Sequence, residues 1–339
     1  MAGPAPHDDA HDEADDDASF SEHWQREVTA RAAAHWTPER TAALAAGKTL
    51  LMPPAQAAPL LRALGLLHRD ASMPPKQVRK YWQVSHMITL LGARLRELLA
   101  RREPVRLLDA GCGRSYLSLA LAWVAEHRWG ARVQILGIDR NAQVIAECRR
   151  RSALAQLGGS LRFVPAALEE LDPADAWRTA GFSSAEAPFA LHGLISLHAC
   201  DRASCAAIAL AVRLRAELVA VAPCCQAELA ARWAQLAERD AAGAFRAIWT
   251  QPHLRRETAA DLTDAMRVSL LRACGYDAGA IEFVPAEHTR KNTLLRAHAA
   301  PLAATLPARR AALAQYHALV DASGGAGLDL AEQLAPFLP

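Results

Sequence analysis

The spacing of apolar residues along the chain predicts helices first and an alternation of strands and helices later. Near the N-terminus apolar side chains recur at helical spacing, as in Trp24, Val28 and Ala32. Residues 76–100 then carry apolar positions along one side of what reads as a single long amphipathic helix. The pattern predicts a helical N-terminal region over residues 21–75 that leads into this long helix.

From residue 105 onward, short β-rich runs alternate with helical stretches, which is typical of an open α/β sheet. The predicted strands are 105–110, 133–139, 161–164, 191–198 and 218–222, followed by two late strands at 280–284 and 292–298. The predicted helices of this part are 117–126, 142–157, 204–215, 228–242 and 262–274. We therefore expect an α/β fold, a doubly wound Rossmann-like sheet with an antiparallel edge, over residues 76–299. Residues 300–339 read as a peripheral helical segment.

The charge of the chain is unevenly distributed. The 38 Lys and Arg residues and 36 Asp and Glu residues give a net charge of +2. Seven of the 36 acids lie in residues 1–20, which contain no Lys or Arg, so 29 acids remain for the 38 bases and residues 21–339 carry about +9. We expect residues 1–20 to be a disordered acidic tail. The excess over the remainder is almost entirely arginine, which suits a phosphate-rich partner such as RNA.

Composition excludes several classes of protein. No uncharged apolar run approaches the length of about 20 residues needed to cross a bilayer, so we expect no membrane partner. The first residues are acidic and small, where a secretory signal would be basic and then apolar. The 7 cysteines do not form a disulfide framework, and reduced thiols in the cytoplasm fit best.

A glycine turn and a distant acid are the strongest candidates for a ligand site. The run LLDAGCGRSYLSLALA places Asp109, Gly111 and Gly113 between the first predicted strand and its helix, where backbone can approach a ligand closely. Tyr116 stands where a nicotinamide-binding turn would have its third glycine, which disfavours that cofactor. The second strand ends at Asp139, placed to accept the two ribose hydroxyls of a nucleoside ligand.

With these residues the chain resembles the class I S-adenosylmethionine-dependent methyltransferases, whose first motif has an acid and glycines arranged like Asp109, Gly111 and Gly113. The resemblance implies S-adenosylmethionine as the cofactor, with its methionine part against the glycine turn and its ribose on Asp139. The family often has a third glycine where this chain has Ser115, and an acid after the third strand that is missing from FVPAALEEL. The implied cofactor-binding residues are Asp109, Gly111, Cys112, Gly113, Ser115, Asp139, Arg140 and Leu168.

Two further segments narrow the resemblance to one branch. ISLHACDRAS ends the fourth predicted strand, and VAVAPCCQAEL ends the fifth. With KQVRKYWQVSHMI upstream and EHTRKNTLLRA downstream, they resemble the methyltransferase branch that has Leu-His-x-Cys and Pro-Cys-Cys segments. That branch includes enzymes that methylate a ribose hydroxyl in the tRNA acceptor stem. The resemblance covers residues 60–298 and implies RNA, tRNA above all, as substrate.

Methyl transfer from a sulfonium is an in-line displacement, so the enzyme must align the nucleophile and accept its proton. His198 is the first candidate for this base, and Asp201 is the second, although Asp201 also suits a helix N-cap. In the alternative mechanism a thiolate of Cys224 or Cys225 adds to a pyrimidine, as in RNA cytosine-C5 methyltransferases. The cysteine spacings lack the paired arrangement of zinc sites, so we expect no metal.

Basic and amide side chains near the predicted carboxyl edge are candidates for contacts with an RNA substrate. They are Lys76, Arg79, Lys80, Gln83, Gln226, Lys291 and Asn292. Methylation of a protein or a small molecule remains open, as does binding of S-adenosylmethionine or RNA without turnover.

Overall fold

The computed structural model describes residues 18–182, 189–197, 201–223, 225–283 and 292–339. Its strands are β1 (Val105–Ala110), β2 (Val133–Asp139), β3 (Leu161–Pro165), β4 (Gly193–Leu197), β5 (Leu218–Ala222), β6 (Tyr276–Glu282) and β7 (Thr293–Ala299). Its first helices are α1 (Ala18–His35), α2 (Pro38–Ala45), α3 (Ala58–Ala63), α4 (Pro75–Leu99), α5 (Tyr116–Arg128), α6 (Ala142–Leu154) and α7 (Pro173–Thr179). The later helices are α8 (Arg202–Arg213), α9 (Glu228–Glu238), α10 (Arg246–Trp249), α11 (Pro252–Ala273), α12 (Leu306–Ala322) and α13 (Asp329–Leu334).

The strands form one sheet in the order β3, β2, β1, β4, β5, β7, β6. The strands from β1 to β5 run parallel, and β7 pairs antiparallel with both β5 and β6. This arrangement confirms the predicted doubly wound α/β sheet with an antiparallel edge. The strand order reverses between β1 and β4, and ligands of such sheets bind at the carboxyl ends of the strands beside this point.

The central strands β1 and β5 are buried along their whole length because helices cover both faces of the sheet. One apolar core joins α4, α5 and α6 to the first face, and a second core joins α8, α9 and α11 to the opposite face. The strand tips are therefore held by packing on both sides.

The N-terminal helices pack onto the first face of the sheet. Leu60 and Leu61 of α3 are buried in the same core as α4 and α5. The Tyr81 hydroxyl of α4 donates a hydrogen bond of 3.2 Å to the Met52 carbonyl, and the Trp36 indole donates one of 2.9 Å to the Ala71 carbonyl. The first bond ties the segment between α2 and α4 to the long helix, and the second ties the same segment to the turn between α1 and α2.

Several element boundaries differ from those predicted. Residues 300–339 were expected to be peripheral, yet Tyr316, Leu330 and Leu334 are buried in the second core. Helix α11 begins at Pro252 and not at 262, and β6 covers Tyr276–Glu282 and not 280–284. In the part of the chain described, no helix is long and apolar enough to cross a membrane.

Candidate active site

The glycine turn follows β1 at the carboxyl edge of the sheet. Gly111 and Gly113 have φ angles of 69° and 50°, the left-handed region that side chains disfavour. A Cβ added at Gly113 would meet no atom within 4 Å, so the space beside this residue is open. The turn therefore exposes backbone to a ligand, as its sequence predicts.

Asp139 at the tip of β2 is bonded directly to this turn. One carboxylate oxygen accepts the Gly113 amide at 3.0 Å, and the other accepts the Asn141 amide at 2.9 Å. The Asn141 side chain in turn caps the first turn of α6. The acid and the glycines therefore form one connected unit although 26 residues separate Gly113 from Asp139.

Asp109 lies beneath the turn and not on its open side. Its side chain is buried and accepts a hydrogen bond of 2.6 Å from the Ser118 hydroxyl of α5. Burial raises the pKa of Asp109 to about 7, the Ser118 bond opposes this rise, and the negative charge of Asp139 adds to it. Asp109 therefore supports the turn from below and ionises near neutral pH.

Cys112, like Asp109, supports the glycine turn from below. Its thiol and that of Cys148 on α6 are hydrogen-bonded to each other, and Cys148 donates to the Gly113 carbonyl at 3.1 Å. The bond to Cys148, together with burial, raises the pKa of Cys112 above its usual range. The Cys112 thiol is therefore protonated at physiological pH and packs between the turn and α6.

Ser115, at the position of the family's third glycine, adopts a left-handed conformation with a φ of 52°. It is the residue before α5, but its hydroxyl makes no capping bond. The Ser115 Oγ is buried, and no partner for it exists among the described residues. A buried hydroxyl without a partner is costly, so this atom is available to a ligand's polar group.

These features fit S-adenosylmethionine. The glycines leave room for the methionine part against the backbone, and Ser115 offers an unused hydroxyl beside it. The Asp139 carboxylate can exchange its amide bonds for the ribose hydroxyls. Gly111, Gly113, Ser115 and Asp139 are thus the residues that would hold the cofactor.

The other two predicted cofactor residues lie on the loops beside β2 and β3. Arg140 is exposed, and its guanidinium bonds the Glu169 carboxylate at 2.6 Å. Leu168 begins a short 3-10 helix after β3 and packs against the second core. The Arg140–Glu169 pair therefore links the two loops that flank Asp139.

Beside the glycine turn, two cations lie over one aromatic ring. The Lys80 ammonium of α4 is 4.7 Å from the centroid of the Tyr116 ring, and the Arg151 guanidinium of α6 is 5.7 Å from it. Arg151 also donates to the Arg114 carbonyl at 3.3 Å. Burial lowers the pKa of Lys80. Glu147 forms an ion pair of 2.7 Å with Arg151, so the surface next to the turn combines an aromatic ring with a paired arginine and a half-buried lysine.

A buried polar network ties the tips of β4 and β5 to α11. The Arg267 guanidinium is fully buried and contacts the Asp264 carboxylate at 3.1 Å, the Asp201 carbonyl at 3.0 Å and the Cys205 thiol at 3.3 Å. Gln226 donates to Asp264 at 2.9 Å. The sequence analysis missed Arg267 and Asp264, because no local pattern marks them.

The same network includes two predicted site residues. The Asp201 amide donates to the Cys225 carbonyl at 3.2 Å, which joins the loops after β4 and β5. One Asp201 carboxylate oxygen lies 3.7 Å from Arg267, although Asp201 makes no N-cap bond to α8. Asp201 and Gln226 therefore lie at the expected edge but are engaged in a structural network.

The remaining predicted residues fall into two groups. His198, Cys224 and Lys291 lie outside the described residues. Lys76, Arg79 and Gln83 are exposed on the first turns of α4, and the Asn292 amide donates to Glu282 at 2.8 Å. In the described ranges, no group of three or more His, Cys, Asp or Glu side chains is placed to hold a metal ion.

Comparison with known proteins identifies the class. A family model described as "Methyltransferase domain" matches residues 79–232, from α4 through β5 to α9. This segment contains the glycine turn, Asp139 and the tips of the five parallel strands. The chain therefore contains an S-adenosylmethionine-dependent methyltransferase domain on a Rossmann-like sheet. No curated protein matches the chain in sequence.

Similar solved structures come from enzymes with different reactions. The magnesium protoporphyrin IX methyltransferase (ChlM) from Synechocystis PCC 6803 with bound SAH is 17% identical over 71% of this chain and 93% of that chain, with a TM-score of 0.39. An rRNA methylase from Streptococcus thermophilus is 13% identical over 63% of this chain and 93% of that one, with a TM-score of 0.35. The [4+2]-cyclase SpnF is 21% identical over 38% of this chain, which spans 43% of SpnF, with a TM-score of 0.26. None of these similarities identifies a substrate.

Proposed function

We propose that this methyltransferase acts on RNA, and on tRNA in particular, by direct transfer of the methyl group. The observation that carries the proposal is the charged surface beside the glycine turn, where Lys80 and Arg151 lie over the Tyr116 ring. Cations that pair with phosphate next to an aromatic ring suit an RNA strand better than an uncharged small molecule. The arginine excess of residues 21–339 and the resemblance to tRNA ribose methyltransferases support the same substrate.

In the proposed reaction the bound cofactor supplies an electrophilic methyl group. The glycine turn and Asp139 orient it, and the loops after β4 and β5 present the nucleophile of the RNA at the same edge. The proton of that nucleophile needs an acceptor. Asp201 lies in the network of Arg267, 3.7 Å from its guanidinium, so His198 is the better candidate for this base.

Transfer of a tritiated methyl group from labelled S-adenosylmethionine into fractionated cell RNA and protein tests the substrate class. We expect label in the tRNA fraction, and we expect ribonuclease treatment to release it. Label confined to protein or to small molecules would contradict the proposal.

The mechanism is tested separately with three variants. Direct transfer predicts that Cys224→Ser and Cys225→Ser each retain much of the activity, while His198→Ala loses about 10²- to 10⁴-fold, the usual contribution of a positioned base. RNA that contains 5-fluorocytidine should form no covalent adduct with the wild type. A gel-stable adduct that disappears only in one cysteine variant would show that a thiolate attacks a pyrimidine instead.

A further inference from the structure

A second cleft lies in the N-terminal region, outside the segment that matches the methyltransferase family. It is formed by α1, α3 and the turn after α3, and has a volume of about 270 Å³. Its lining includes Trp24, Arg31, Arg62, His68 and Arg69. A cleft with three arginines and an indole in its wall has the chemistry of a site for a phosphate next to a base.

The acids of this cleft do not neutralise all of its arginines. Glu27 pairs with Arg31, whose guanidinium also donates to the Arg69 carbonyl at 3.2 Å. The Asp70 carboxylate accepts the amide and the hydroxyl of Ser72 at 3.0 and 2.7 Å. Among the described residues, neither Arg62 nor Arg69 forms an ion pair. Two positive charges in the cleft are therefore available to an anion.

Arg62 is held near other positive charges. It is half-buried, and burial lowers its pKa, with further lowering from the charges of Arg69 and of Arg150 on α6. Glu147 already bonds both Arg150 and Arg151. Guanidinium groups that repel one another in a partly desolvated cleft are stabilised when an anion binds between them.

The cleft and the charged surface beside the active site are joined through α6. Helix α3, which carries Arg62, packs against α6, and Arg151 of α6 lies over Tyr116 and bonds the Arg114 carbonyl next to the glycine turn. A single free phosphate would occupy only one of these places. A nucleic acid strand carries phosphates at regular spacing and can occupy both, which favours RNA over a free nucleotide.

We propose that Arg62 and Arg69 bind a backbone phosphate of the RNA substrate while a base stacks on Trp24. The proposal rests on the RNA methyltransferase function proposed above and assigns a second contact, remote from the reacting atoms. The N-terminal helices then set the distance between the bound phosphate and the nucleotide that is methylated.

Binding of fluorescein-labelled bulk tRNA by the full chain tests this site through fluorescence anisotropy at several salt concentrations. For Arg62→Gln/Arg69→Gln we expect an affinity about 10-fold lower at 0.1 M salt. The slope of log K against log salt should decrease in magnitude by about 0.7 to 0.9, the contribution of the one phosphate that the two arginines neutralise. Trp24→Ala should also weaken binding by about 10-fold, with no change in the slope.

The matched control is Arg213→Gln/Arg256→Gln, which removes the same charge from exposed positions on α8 and α11 across the sheet. We expect this variant to bind tRNA as the wild type does. Arg69 is exposed, so Arg69→Glu supplies a charge reversal that leaves the core intact, and it should weaken binding at least as much as the double variant. Equal losses in the control and in the Arg62/Arg69 variant would show a general charge effect and overturn the site.

Three further outcomes separate the possible failures. If the wild type methylates tRNA but the Arg62/Arg69 variant keeps wild-type affinity and slope, the proposed site is wrong and the proposed function stands. If adenosine monophosphate binds the wild type but not the Arg62/Arg69 variant, and the two proteins bind tRNA equally well, the cleft binds a free nucleotide and the proposal fails. If the wild type methylates no RNA, the proposed function fails, whatever the cleft binds.

Discussion

Asp109 is the buried residue whose ionisation should be visible in solution. Its folded pKa of about 7 lies above the ordinary value of 3.8 because burial disfavours the carboxylate. Between these two values the folded chain binds more protons than the unfolded chain. Protonated Asp109 therefore stabilises the folded state fully at acidic pH, and this stabilisation is lost as the pH rises through 7.

We predict that the free energy of unfolding of the wild type falls between pH 5 and pH 8 by on the order of 3 kcal/mol relative to Asp109→Asn. Urea denaturation of both proteins at each pH measures this difference. Ser118→Ala removes the bond that favours the carboxylate, so its loss of stability should continue to a higher pH. Parallel pH curves for wild type and Asp109→Asn would show that Asp109 is ionised throughout.

Single residues also show where sequence reasoning succeeds and where it stops. The glycine turn and Asp139 were expected to lie together, since both follow strands of one parallel sheet, and the structure places the Gly113 amide on the Asp139 carboxylate. Arg267 could not be predicted, because its partners Asp201 and Cys205 lie 66 and 62 residues away in the sequence. An arginine inside a helix carries no local sign that it is buried.

At the scale of elements, the Arg267 network joins α11 to the loops at the tips of β4 and β5. Burial raises the pKa of Asp264, while the Arg267 charge and the bonds from Gln226 and Arg267 lower it. Removal of Arg267 would leave that carboxylate buried without its ion pair. Loss of one partner of a buried pair is usually much more costly than loss of both.

We predict that Arg267→Met lowers the free energy of unfolding by about 3 to 5 kcal/mol and that Arg267→Met/Asp264→Leu recovers part of this loss. Because the network holds Asp201, four residues beyond the end of β4, the double variant should have a lower kcat and an unchanged affinity for the cofactor. Thermal denaturation, calorimetry and methyl transfer measure the three quantities. Arg256→Met, at an exposed position of the same helix, serves as the control. A double variant with the kcat of the wild type would show that the network has no positioning role.

Whether the bounds of a strand or helix can be predicted from the sequence depends on how that element is buried. β1, β2 and β5 begin and end at the residues predicted, because short apolar runs bounded by polar turns mark strands buried on both faces. The start of α11 was missed because residues 253–261 are mostly exposed and polar, so no apolar periodicity reveals the helix. The seven-residue helix α7 is too short to show a period at all.

At the scale of the whole molecule, the separation of charge along the chain bears on substrate binding. Residues 1–17 contain seven acids and no Lys or Arg, and in the sequence they directly precede α1, which contributes Trp24 and Arg31 to the second cleft. If RNA is the substrate, as we propose, we expect an acidic segment attached there to compete with phosphate for the same arginines at high local concentration.

We predict that deletion of residues 1–17 tightens tRNA binding at low salt and steepens its salt dependence. Anisotropy titrations of both proteins between 50 and 200 mM salt, roughly the range over which phosphate contacts change affinity most, make the comparison. As a control, substitution of the seven acids by Asn and Gln should have the same effect as the deletion. Unchanged binding in both forms would show that the tail does not compete with RNA.

The central claim is that the glycine turn and Asp139 form the cofactor pocket of a methyltransferase. Titration of S-adenosylhomocysteine into the wild type and Asp139→Ala by isothermal calorimetry tests it most directly. Loss of an acceptor for the two ribose hydroxyls should weaken binding by about 5- to 150-fold. Asp70→Ala, which removes a carboxylate that accepts the amide and hydroxyl of Ser72, should bind as the wild type does. Equal affinities of the wild type and Asp139→Ala, with both proteins folded, would contradict the assignment of the pocket.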